Sequence, residues 1–92
     1  MASPIRRNDI VRVFGTPDVA EGSVNEPRER EENGMRFNER WYYKRPRNDP
    51  ARAYERVIYW HRYEYVGSCI RRTPDGPWEP DPSLPERVRA AA

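Results

Sequence analysis

Apolar positions in this chain fall into short clusters separated by proline, glycine and charge, and the clearest cluster alternates. Over residues 35–44, Phe37, Trp41 and Tyr43 share one side of an extended strand, interrupted only by Glu39. Arg36, Asn38, Arg40, Tyr42 and Lys44 take the other side. A period of two with apolar side chains inward describes a half-buried β-strand. Residues 8–14 give a shorter version, with Ile10 and Phe14 on one face and Val11 and Val13 on the other. This segment is expected to be the first strand, ended by Gly15 and Pro17.

Residues 19–34 carry two glycines, Pro27 and the charged run from Glu26 to Glu32. The expectation is a long acidic loop with at most one helical turn after Pro27. Arg45-Pro46-Arg47 breaks the sheet, and Asp49-Pro50 suits a helix start, which predicts a short helical turn over residues 50–54. From about Glu55 to Val66 the chain is dense in β-branched and aromatic residues, so strand is expected, bent near His61 and Arg62. Gly67 marks a bulge, strand continues over Ile70 to Arg72, and Thr73-Pro74-Asp75-Gly76 is a tight turn. Trp78 is a lid on the core. Pro80, Pro82 and Pro85 then predict an extended tail that ends in a short helix or frays.

These elements make a mainly β protein: one small domain over residues 1–78, with a Pro-rich tail over 79–92. A bent antiparallel sheet or partly open barrel accommodates them. The order of elements resembles an SH3-like barrel, with residues 19–34 in the place of its long first loop, a likeness of architecture alone.

Composition sharpens the core. Leu, Ile, Val and Phe supply only 14 of 92 residues, and Leu84 is the single leucine, while six Tyr and three Trp are present. The interior must therefore be built from rings and branched chains, with Trp41, Tyr43, Val57 and Ile58 expected inside. Net charge is only +2, without the self-repulsion typical of a disordered chain. No run approaches the ~20 apolar residues of a membrane span, and the first seven residues lack the apolar stretch of a signal peptide. With the single Cys69 unable to form an internal disulfide, a cytoplasmic protein without membrane insertion is expected.

Charge is segregated along the chain. Residues 18–35 hold six acids against two arginines, and residues 36–72 hold ten bases against four acids. The acidic block either marks a partner surface or folds back on the basic one. Sixteen of the seventeen basic residues are arginine. The guanidinium fork suits bidentate contact with carboxylate or phosphate.

Catalytic chemistry finds little purchase. His61 and Cys69 are the sole Cys–His combination, and on one strand they would stand about 26 Å apart. Glycines at 15, 22, 34, 67 and 76 form no phosphate-cradling loop. One His and one Cys do not assemble a structural zinc site, so no metal or cofactor is expected. The expectation is a non-catalytic binding module, an accessory or adaptor subunit docking on a protein partner through an Arg/Tyr/Trp-rich surface. Arg36, Arg40, Tyr42, Lys44, Arg45 and Arg47 are the candidate contact residues. Two alternatives are a small nucleic-acid-binding barrel using the basic-aromatic strand 36–47, and a small enzyme.

Overall fold

The structure is a computed structural model that describes residues 4–91. Its centre is an antiparallel sheet of five strands in the order β1 (Val19–Gly22), β4 (Glu39–Lys44), β5 (Glu55–His61), β6 (Glu64–Arg71) and β7 (Glu79–Pro80). A separate hairpin, β2 (Arg30–Glu32) and β3 (Met35–Phe37), lies against one face. Helices α1 (Arg7–Phe14) and α2 (Leu84–Ala91) cover the other. The protein is mainly β as expected, but the sheet does not close into a barrel. No helix among the described residues is long and apolar enough to cross a membrane.

β4 carries the expected alternation from Glu39 onward, but Phe37, expected on the side of Trp41 and Tyr43, lies on β3 and packs in the opposite cluster with Val57 and Tyr59. Trp41 and Tyr43 are buried on the helical face, while Arg40 and Tyr42 are half-buried opposite. The strand is shorter than expected because Asn38 interrupts it. Asn38 is fully buried; its Nδ2 donates to Glu26 O at 3.2 Å and its Oδ1 accepts from Arg62 N at 3.2 Å. One amide thus ties the chain before β2 to the β5–β6 turn, and a buried amide tolerates no less. β5 is the central strand and is buried on both faces: Ile58 and Trp60 pack towards the helices, Val57 and Tyr59 towards the hairpin.

The first expected strand is instead the helix α1. The same residues read either way over one short stretch, and packing decides. Ile10 and Val13, three apart, are buried against Leu84 and Val88, while Val11 and Arg12 face solvent. Asp9, at the third helical position, accepts from Arg6 N at 2.9 Å. Gly15, at φ 80°, ends the helix, and its N–H donates to Val11 O at 2.7 Å.

Residues 19–34 are also more ordered than the expected loop. β1 pairs with β4 from Val19↔Tyr42 to Gly22↔Glu39. Gly22 is required there: its φ is +76°, and a Cβ would lie 2.1 Å from Asn38 O. After Pro27 comes β2, not a helical turn. Asn33 and Gly34, at φ 54° and 78°, turn it into β3, the geometry of a two-residue type I′ hairpin. Residues 50–54 form no helix either. A single turn closes from Arg52 N to Asp49 O at 2.9 Å, with Ala51 N on Asp49 Oδ1 at 2.8 Å. The expected bend at His61 is a complete reversal, with Arg62 and Tyr63 at its corners. The bulge lies where Gly67 suggested: Tyr59 pairs with Gly67 but Trp60 with Tyr65, which leaves Val66 over.

The C-terminal residues belong to the same packed unit. Pro80 pairs with Cys69, Asp81 is buried, and Leu84 and Val88 of α2 are 0% and 1% exposed. The lone leucine sits in the larger apolar cluster with Ile5, Ile10, Trp41, Ile58 and Trp60. Rings carry much of this interior: Trp41 and Trp60 meet at 5.1 Å, Phe14 and Tyr43 at 5.5 Å, Phe37 and Tyr59 at 4.6 Å.

Candidate functional site

Arg56 lies under the helices with its side chain wholly buried. It donates to Asp49 Oδ2 at 2.5 Å and Oδ1 at 2.8 Å, to Ser68 Oγ at 2.8 Å and to Asp81 Oδ2 at 2.9 Å. Burial would lower its pKa, but the two carboxylates outweigh that and raise it. Asp49 belongs to the loop between β4 and β5, and Asp81 to the segment before α2. One side chain of β5 therefore fixes both.

That loop carries the candidate site. Arg45, Pro46, Arg47, Asp49, Arg52, Ala53, Tyr54 and Arg72 surround a concavity of about 530 Å³. Arg45 N donates to Tyr54 O at 2.9 Å and closes the loop. The Arg45 guanidinium lies 4.9 Å from the Tyr54 ring centroid and bonds its hydroxyl at 2.9 Å. Arg72 reaches Glu79 at 3.2 Å in an exposed pair. Arg45, Arg47 and Arg52 have no carboxylate partner among the described residues. The Lys44 ammonium, one residue before the loop, likewise forms no ion pair among them. Arg52 holds φ +53° and Arg45 φ +49°, a backbone region that disfavours side chains with a Cβ.

The six expected contact residues do not stay together. Lys44, Arg45 and Arg47 gather at this end of β4. Arg40, near the Glu39 end of the strand, is bound by Glu32 at 3.0 Å and Glu21 at 3.2 Å. Arg36 lies on the hairpin and pairs loosely with Glu29 at 3.9 Å. Tyr42 donates its hydroxyl to Glu55, and burial together with that carboxylate pushes its pKa up to about 12. Glu55 also takes Arg71 at 3.1 Å, and Arg71 stacks 4.8 Å from Trp78. The acidic block has folded back along the basic strand: Glu21 and Glu32 meet Arg40 near its Glu39 end, and Asp18 accepts the Lys44 N–H at 2.7 Å at the other end, while no acid meets Arg45 or Arg47 among the described residues. Trp41 and Trp60 are buried, so the tryptophan part of the expected contact surface reduces to the half-buried Trp78. Arg52, Arg72 and Tyr54 join the site without having been anticipated. The excess of bases over residues 36–72 was the signal that covered all three positions.

His61 and Cys69 do not meet. Cys69 pairs with Val57 in the middle of β5 and packs against Phe37 and Tyr59, and burial pushes its thiol pKa up. His61 lies at the far end of β5 with Nε2 2.6 Å from Glu29 Oε1. Compared with family models, curated proteins and solved structures, the chain gives no significant match to any of them.

Proposed function

We propose that this protein is a non-catalytic docking module, an accessory or adaptor subunit that holds an acidic segment of a protein partner in the concavity between Arg45 and Arg72. The observation that carries the reading is that Arg45, Arg47 and Arg52 converge there without carboxylate partners, whereas Arg40 and Arg56 are fully engaged. Planar guanidinium forks fit carboxylates two hydrogen bonds at a time. Carboxylate is favoured over nucleic acid by the state of the nearby rings. Tyr54 lies under Arg45 and Trp78 under Arg71, which leaves no bare ring at the concavity for a base to stack on. The unpaired, buried Cys69 accords with a reducing, cytoplasmic setting.

Fluorescence anisotropy with a labelled Glu/Asp-rich peptide at low ionic strength tests this. The peptide is expected to bind, and the triple change Arg45→Ser, Arg47→Ser, Arg52→Gly to weaken it by about tenfold or more, a loss of about 1.4 kcal/mol. A labelled single-stranded oligonucleotide that binds more tightly than the peptide at equal salt would transfer the site to nucleic acid. No peptide binding at low salt would end the proposal.

A further inference from the structure

Asp49 is the one acid in the lining of the concavity between Arg45 and Arg72, and its charge is spent inside the fold. Its side chain is wholly buried, both carboxylate oxygens accept from Arg56, and Oδ1 also accepts from Ala51 N. Four arginines share that lining with no lysine. Arg72 is taken by Glu79 at 3.2 Å and is left out of the count. The Arg47 and Arg52 guanidiniums make no hydrogen bond, ion pair or ring contact among the described residues. The Arg45 guanidinium meets only the Tyr54 phenol, at 2.9 Å to its oxygen and 4.9 Å to its ring centroid. Acids of the flanking segments are committed as well: Glu55 takes Tyr42 and Arg71, and Asp18 accepts the Lys44 N–H. Asp75, on the turn after Arg72, is exposed and stands outside the lining.

Three uncompensated guanidiniums thus border one space of about 530 Å³. A carboxylate brings one charge and two oxygens, so several acidic residues would have to enter together to answer three forks. A phosphorylated side chain brings a charge of about −1.5 to −2 at neutral pH and three acceptor oxygens on one atom. Arginine forks take those oxygens two at a time, which the point charge of a lysine does not. The loop is also set in advance. Arg45 and Arg52 hold φ of 49° and 53°, a conformation that persists where the surroundings impose it. Here the Arg45 N to Tyr54 O bond and the Arg52 N to Asp49 O bond, both 2.9 Å, impose it. A backbone fixed before the ligand arrives lowers the ordering cost of binding.

Resting on the docking reading above, we infer that the concavity takes a phosphoserine within the partner's acidic segment, so that phosphorylation of the partner switches docking on. The phosphate oxygens accept from Arg45, Arg47 and Arg52, and the neighbouring acids of the segment add attraction without supplying the central contact.

The test uses labelled peptides of one Glu/Asp-rich sequence with serine, phosphoserine or glutamate at the centre, each titrated with the full chain by fluorescence anisotropy. At about pH 7.5 the phosphoserine peptide is expected to bind about tenfold or more tighter than the glutamate peptide. At about pH 5.5, below the second phosphate pKa of about 6, that ratio should fall to about half or less. Arg47→Lys with Arg52→Lys, both at exposed positions, keeps the charge but loses the forks, and should bring the ratio below about threefold. Inorganic phosphate should displace the phosphopeptide only at about a hundredfold higher concentration than the unlabelled phosphopeptide does. Equal binding of the phosphoserine and glutamate peptides would overturn the phosphate assignment and leave acidic docking standing, whereas failure of all three peptides to bind would overturn both. A ratio that survives the lysine changes or the drop in pH, or free phosphate as effective as the phosphopeptide, would also overturn the assignment.

Discussion

The two ends of β4 hold the same residue type in opposite states. At the Glu39 end, Arg40 is met by Glu21 from β1 and Glu32 from β2, and Arg30 lies 3.7 Å from Glu21. At the Lys44 end, Arg45, Arg47 and Arg52 point into a concavity with no acid of their own. Both groups come from one basic stretch of sequence. What separates them is what each acid meets when the chain folds back: Glu21 and Glu32 take the Arg40 guanidinium, whereas Asp18, at the Lys44 end, takes the Lys44 backbone N–H. The cations left over are held in shape by another arginine, Arg56, whose hold on Asp49 fixes the turn that carries Arg52. Paired arginines here build the fold, and Arg45, Arg47 and Arg52 take no part in its ion pairs among the described residues.

Arg56→Met is the harshest way to break this comparison. It leaves Asp49 and Asp81 buried without their cation, and removing one side of a buried pair costs about 3–5 kcal/mol. Urea denaturation should show that loss; a decrease below about 1 kcal/mol would mean that Arg56 does not anchor the loop.

Arg40→Gln beside Arg47→Gln sharpens the contrast directly. Arg40, at 17% side-chain exposure with two acidic partners, should cost about 1–2 kcal/mol of stability and leave acidic-peptide binding unchanged. Arg47 should cost within about 0.5 kcal/mol and weaken peptide binding several-fold. Equal stability losses in the two variants would erase the distinction between the ends.

Acid offers a gentler probe of the Arg56 anchor. Burial alone would raise the pKa of Asp81, but hydrogen bonds from Ser83 and Arg56 more than offset it and hold the carboxyl below its ordinary 3.8. A depressed folded-state pKa stabilises above the unfolded value and loses that contribution as pH falls through the lower one. Stability measured by urea should therefore drop as pH falls below about 4, and Asp81→Asn should flatten that part of the profile. An unchanged slope in Asp81→Asn would show that another group is responsible.

Much of the sheet was legible because its signals are local and redundant. Period-two alternation placed Trp41 and Tyr43 inward and Arg40 and Tyr42 outward. The apolar density of β5 matched a strand covered on both faces, and Thr73 to Gly76 closes as a turn, Gly76 N to Thr73 O at 3.1 Å. Asn33-Gly34 was an equally local signal for a hairpin, hidden by the charged residues around it. Those charges misled because acids beside arginines pair across strands once they are brought together. Residues 8–14 failed for a different reason. Their apolar spacing serves a strand or a helix, and only contact with Leu84 and Val88, more than seventy residues away, selects the helix.

The candidate site divides in the same way. A surplus of arginine over residues 36–72 is a property of the sequence, as is the inability of one histidine and one cysteine to build a metal site. Which arginines stay free is a property of the fold, since ion pairs such as Arg40–Glu21 and Arg56–Asp81 join residues 19 and 25 positions apart. By itself the sequence determined a β scaffold filled with rings and branched chains, because side-chain shape and period act between neighbours. The tertiary structure alone decided the helix at α1, the docking of α2 and the partner of each charge, because an ion pair exists only where the folded chain brings opposite charges within reach.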